Sequence, residues 1–109
     1  MRKLIIAAFM FVSSFGSNVM ADGHAIKMGI ILGFTGPIES LTPAMAASAE
    51  LAFKEASDSG SLLGGKYIKP IRADSTCVDS AAATAAAEGV ISQGVAAIMG
   101  ADCSGVTGA

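Results

Sequence analysis

The sequence predicts an α/β fold, a parallel sheet with flanking helices in the order β-α-β-α-β. Three observations point to it. Segments of strand character alternate with segments whose small and apolar residues recur at helical spacing. The first strand ends in Met28 to Leu32, a stretch with no polar side chain, as expected of a strand buried on both faces of a parallel sheet. Glycines then punctuate the segments at Gly33, Gly60, Gly64, Gly65, Gly94 and Gly100.

Taken in chain order, residues 1–21 are not expected to belong to the fold. Met1-Arg2-Lys3 is a short basic start, Leu4 to Phe15 is an apolar run, and Val19-Met20-Ala21 places small residues before a cleavage site. This is the layout of a secretory signal peptide cut after Ala21. The apolar run is shorter than the roughly 20 residues a spanning helix needs. Asp22, not a cysteine, follows the cut, so no lipid anchor is indicated.

Residues 25–32 (AIKMGIIL) form the first predicted strand. Residues 41–58 read as a helix, with Thr42 as its cap and Pro43 at the first helical position, where no N–H is missed. Ala44, Ala47, Ser48, Leu51, Ala52 and Glu55 give its spacing, and Gly60 is its stop signal. Gly64-Gly65 makes a turn into a second strand, 66–73 (KYIKPIRA). Pro70 cannot donate to a ladder, which assigns that strand to a sheet edge or a bulge. The alanine-rich stretch 79–93 is a second helix, and 95–99 (VAAIM) is a short third strand. Residues 100–104 form a loop, and 105–109 begin a further element. Doubly wound sheets usually have about five strands or more. Residues 22–109 are therefore expected to be the N-terminal piece of a longer protein.

Composition excludes some functions. Removing 21 residues from 109 leaves 88, with all nine acids and five of the seven bases, a balance of −4. A mildly acidic chain with no basic cluster does not suit nucleic acid, whose readers need Lys and Arg at the phosphates. The two cysteines, Cys77 and Cys103, are an even count in a secreted chain, which favours a disulfide. The alternatives are two free thiols or part of a metal site. A zinc site would need further ligands, and the only histidine is His24, near the start.

The turn Gly33-Phe34-Thr35-Gly36-Pro37 is too poor a match for a phosphate loop. It has the last two glycines of G-x-G-x-x-G, but Ile31 stands at the first. Pro37 to Leu41 separate it from the helix, and Glu39 adds negative charge there. No Lys-Ser or Lys-Thr follows Gly36. The other use of such a turn is the lip of a pocket, because ligands in open α/β sheets bind beyond the carboxyl ends of the strands. Loops 33–42, 74–79 and 100–104 lie at that end. With strand order 2-1-3, a Cys77–Cys103 bridge would span the end of the first strand. Thr35, Ser75, Thr76 and Ser104 would place hydroxyls near that rim, with Ser104 at a helix start, where free N–H groups favour a carboxylate.

From Ile26 to the end, the chain resembles the N-terminal lobe of type I periplasmic substrate-binding proteins of ABC transporters, of the leucine/isoleucine/valine-binding type. The pieces are Ile26-Lys27-Met28-Gly29-Ile30, Thr35-Gly36-Pro37, Gly64-Gly65-Lys66, Asp74-Ser75-Thr76-Cys77 and Gly100-Ala101-Asp102-Cys103-Ser104. The resemblance implies a disulfide between Cys77 and Cys103, and ligand carboxylate binding by Ser104. It places Leu41 where relatives often pack an aromatic residue on the ligand. It also implies two lobes closing on an amino acid, ABC permease subunits as partners, no cofactor, and a periplasmic location. Thr35 is expected to turn its hydroxyl to the cleft.

The residues admit two rival readings. A sensor ectodomain of the same fold would need a signalling segment downstream. A secreted enzyme would have to rely on Asp74, Asp79 or Asp102 as acid or base, with no Ser-His-Asp, Cys-His or metal set, because the only histidine, His24, lies outside the predicted fold.

Overall fold

The computed structural model describes residues 25–109. The expected signal peptide and His24 lie outside the described residues. The architecture is α/β, as the sequence predicts: β1 (Ala25–Leu32), α1 (Thr42–Asp58), a 3₁₀ turn (Leu62–Gly64), β2 (Tyr67–Asp74), α2 (Ser80–Ser92), β3 (Ala97–Met99) and α3 (Ser104–Thr107).

All three strands are parallel, in the order β2-β1-β3. Ala25 pairs with Tyr67 and Leu32 with Asp74, so β1 and β2 run in register along their full length. Met28, Gly29 and Ile30 pair with Ala97, Ile98 and Met99 of β3. β2 is at the edge, where Pro70 is tolerated.

Successive residues of a strand face opposite sides of the sheet, and β1 feeds two thin cores. Ile30 and Leu32 pack with Ala46 of α1, joined by Phe34, Ala49, Phe53 and Met99. On the other side, a Cβ on Gly29 would lie 3.1 Å from Ile98 Cγ1 and 3.3 Å from Val90 Cγ2. The absent side chain at Gly29 is what lets α2 sit this close. α1 and α2 therefore cover opposite faces. Burial of Ile30 and Leu32 is worth about 1.5–3 kcal/mol each, which makes β1 the best-anchored element of the fold.

Two local expectations change, and one feature is new. Thr42 does not cap α1. The helix is entered through a backbone turn in which the Leu41 and Thr42 N–H groups donate to the Ile38 carbonyl at 2.9 and 3.4 Å. The Leu41 side chain makes no capping bond either. Thr42 is instead fully buried, and its hydroxyl donates to the Gly33 carbonyl at 3.1 Å. The third strand is shorter than 95–99: it covers Ala97–Met99, and Ala96 sits in a bend although its N–H already donates to the Lys27 carbonyl at 2.8 Å. The 3₁₀ turn carries Leu63 at φ 41°, a conformation that composition does not announce. Elsewhere a side chain does cap: Asp79 Oδ1 accepts the Ala81 and Ala82 N–H groups at 2.8 and 3.1 Å to start α2.

Candidate functional site

Parallel strands end together, and here they gather three loops at one end of the sheet. The first follows β1 (33–41), the second follows β2 (75–79), and the third follows β3 (100–103). Cys77 and Cys103 are bonded to each other, with Cα atoms 5.3 Å apart, and among the described residues no cysteine is free. The bond ties the second loop to the third across the end of β1, which lies between their strands.

The first loop is held against the other two. Gly33 donates its N–H to both carboxylate oxygens of Asp102, at 3.2 and 3.1 Å. Thr35 donates its N–H to Asp74 Oδ1 at 3.2 Å and its hydroxyl to Asp74 Oδ2 at 2.6 Å. Asp74 Oδ1 also accepts the Thr76 N–H at 2.8 Å, a turn closed by the residue's own side chain. Burial pushes the Asp74 carboxyl up. The hydrogen bonds from the Thr35 hydroxyl and from the Thr76, Thr35 and Phe34 backbone outweigh that and hold it below its ordinary value.

The two glycines of this loop serve its packing. Gly36 has φ +94°, and a Cβ there would lie 2.5 Å from the Thr76 carbonyl oxygen. A Cβ on Gly33 would lie 3.0 Å from the Cys77 Cβ. A side chain at either position would push the first loop off the second. Phe34 turns inward and packs on the core. The Arg72 guanidinium sits 5.6 Å from its ring centroid and is held in turn by both oxygens of Glu50, at 2.6 and 2.8 Å. The bidentate bond to Arg72 keeps the Glu50 carboxyl below its usual value against a smaller opposing effect of burial.

The residues named from the sequence stand as follows. Thr35 is exposed on the first loop, with its hydroxyl hydrogen committed to Asp74, so only its oxygen lone pairs face outward. Leu41 is 60 % exposed at the start of α1. Ser104 is exposed as the first residue of α3, directly after the disulfide. Ser75 is fully buried and its hydroxyl meets no protein partner. Thr76 Oγ1 accepts the Asp79 N–H at 3.1 Å. Asp74 and Asp102, considered only as an enzyme's acid or base, turn out to be the first loop's anchors. An Asp at a strand end beside an Asx-turn sequence was the available signal for Asp74.

A groove of about 310 Å³ lies off this end, between α2, α3 and the open side of β3, with Ile31, Ala83, Ala87, Ile91, Ile98 and Val106 among its lining. Its lining is mostly aliphatic, with Thr84, Glu88 and Thr107 as its polar side chains.

The family model described as periplasmic binding protein matches residues 25–109. No curated protein matches the chain.

Proposed function

This chain belongs to the periplasmic binding protein family, and from that premise we propose that it is the solute-capturing component of an ABC transporter for amino acids of the branched-chain kind. Membership supports a role in holding a small molecule, in a family that typically works outside the cytoplasm and binds without chemistry. The proposal extends to an amino-acid ligand, permease partners, a leader at 1–21 and the assignment of 22–109 to the first of two lobes.

The observation that carries this reading is the rim: three loops at the carboxyl ends of parallel strands, cross-linked by Cys77–Cys103, with Ser104 next to the bond. In an open α/β sheet this is where a ligand sits. Ser104 offers a hydroxyl and a helix-start N–H to the ligand carboxylate. Thr35 and Leu41 flank the other side, one polar and one apolar. Ligand bound to this lobe then gains further contacts when a second lobe closes over it, and closure is favoured by the contacts made only in the closed state. The closed form is what the membrane permease subunits receive.

The test is calorimetry with L-leucine and with L-leucinamide, which lacks the carboxylate, on the protein expressed from its whole gene. Wild type should prefer L-leucine. Ser104→Ala should weaken L-leucine binding by about 1–3 kcal/mol and leave the weak binding of the amide unchanged. Equal loss for both ligands would remove Ser104 from the carboxylate site.

A further inference from the structure

The first loop is pinned from two sides by carboxylates of two different elements. Asp102, on the third loop, takes the Gly33 N–H. Asp74, the last residue of β2, takes the Thr35 N–H and hydroxyl. Each carboxylate lies close to one half of the disulfide in sequence: Cys103 follows Asp102 directly, and Cys77 comes three residues after Asp74. The connections therefore close on themselves. They run from Gly33 to Asp102, along the chain to Cys103, through the sulfurs to Cys77, back to Asp74 and across to Thr35.

We infer that the Cys77–Cys103 bond fixes the position of the first lip of the cleft, although neither cysteine belongs to that lip. Strand pairing sets Asp74 opposite Leu32, the bond holds Asp102 at one spacing from it, and that spacing holds Gly33 and Thr35. Packing reinforces this. The lip lies so close to the second loop that only glycine fits at Gly36 against the Thr76 carbonyl, 2.5 Å from where a Cβ would be. A lip that lifted would give up both sets of charge-assisted hydrogen bonds together. A lip held by two uncoupled loops would give them up one at a time. The disulfide thus makes the lip rigid before ligand arrives, which lowers the ordering cost of binding. Cutting the bond turns the lip into a locally mobile segment while β1 keeps its ladder. A dithiol reductant does this by delivering two electrons and two protons to the S–S bond, leaving two thiols and a reductant oxidised to its own disulfide.

That the segment is a ligand lip rests on the proposed function. That it is pinned through the disulfide does not, and the test needs no ligand. Amide hydrogen exchange is followed by NMR at Gly33 and Thr35, with Ile30 and Leu32 of β1 as the internal reference. In the oxidised protein, Asp102→Ala should speed exchange at Gly33 by about tenfold or more, the counterpart of one lost charge-assisted bond. It should also speed exchange at Thr35, which Asp102 does not touch. Asp74→Ala should reciprocally speed Gly33. Reduction should speed both sites with Ile30 and Leu32 still protected. If each alanine variant moves only the amide its own carboxylate holds, the closed connection is refuted. Undiminished protection of Gly33 and Thr35 in reduced, folded protein refutes it as well. Should reduction unfold β1 too, the two alanine variants in oxidised protein decide the matter.

Discussion

Asp74, the last residue of β2, takes the Thr35 hydroxyl at 2.6 Å and the Thr35 N–H at 3.2 Å, so the end of one strand holds the loop that leaves its neighbour. The bond links two positions 39 residues apart in the chain. It makes Asp74 a structural anchor, not a free acid waiting for a substrate. Asp74→Ala is expected to lower the unfolding free energy by about 1–3 kcal/mol, the range for losing bonds to a charged acceptor. Urea denaturation measures it. A midpoint unchanged from wild type would show that the loop holds without this carboxylate.

Acid should loosen the same contact. The folded Asp74 carboxyl lies below its ordinary value, whereas the unfolded chain carries it near 3.9. Asp74 therefore contributes stability that is fully present above the unfolded value and is lost as pH falls through the folded one. Glu50, also lowered by its bond to Arg72, acts in the same direction. Stability should fall below about pH 4, less steeply in Asp74→Asn than in wild type. Parallel slopes in the two proteins, from pH-dependent urea midpoints, would contradict the assignment to Asp74.

Gly36→Ala tests the close approach of two loops. The backbone at φ +94° and the Thr76 carbonyl at 2.5 Å from the new Cβ both oppose the methyl group. A loss of about 1–3 kcal/mol is expected, the usual range for strain at such a position. Gly108→Ala is the control: its φ is negative, and an added Cβ would lie 3.9 Å from the Ser104 carbonyl oxygen, an ordinary contact. Thermal unfolding should separate the two clearly. Equal small effects would mean that the first loop can shift aside at no cost.

Ser75→Ala should behave in the opposite way. The side chain is fully buried and its hydroxyl has no protein partner, so removing the oxygen also removes an unmet desolvation penalty. Stability should be unchanged or rise by up to about 1 kcal/mol. A loss above that size would show that the hydroxyl has a partner in solution.

Much of this architecture could be read from the residues, because the signals were local and physical. The unbroken apolar run at Met28 to Leu32 marks a central strand, Pro70 marks an edge, and the alanine-rich stretch 79–93 marks α2. Bonds between loops were harder to see. Nothing in the neighbourhood of Thr42 says that its hydroxyl reaches back to the Gly33 carbonyl instead of capping α1. That contact exists because α1 folds back over the end of β1. The strand order points the Thr35 hydroxyl to the cleft, yet its hydrogen goes to Asp74, a partner supplied by the pairing of Leu32 with Asp74 in register. The glycines at Gly33 and Gly36 were legible as a turn. Their contact with the second loop depends on tertiary packing and was not.

The measurement that bears most directly on the proposed function is a calorimetric titration of the protein expressed from its whole gene with L-leucine, L-isoleucine and L-valine. The account predicts a saturable, one-to-one heat for at least one of the three, abolished or weakened by Ser104→Ala. A cooperatively folded protein that gives no heat with any of them would contradict it.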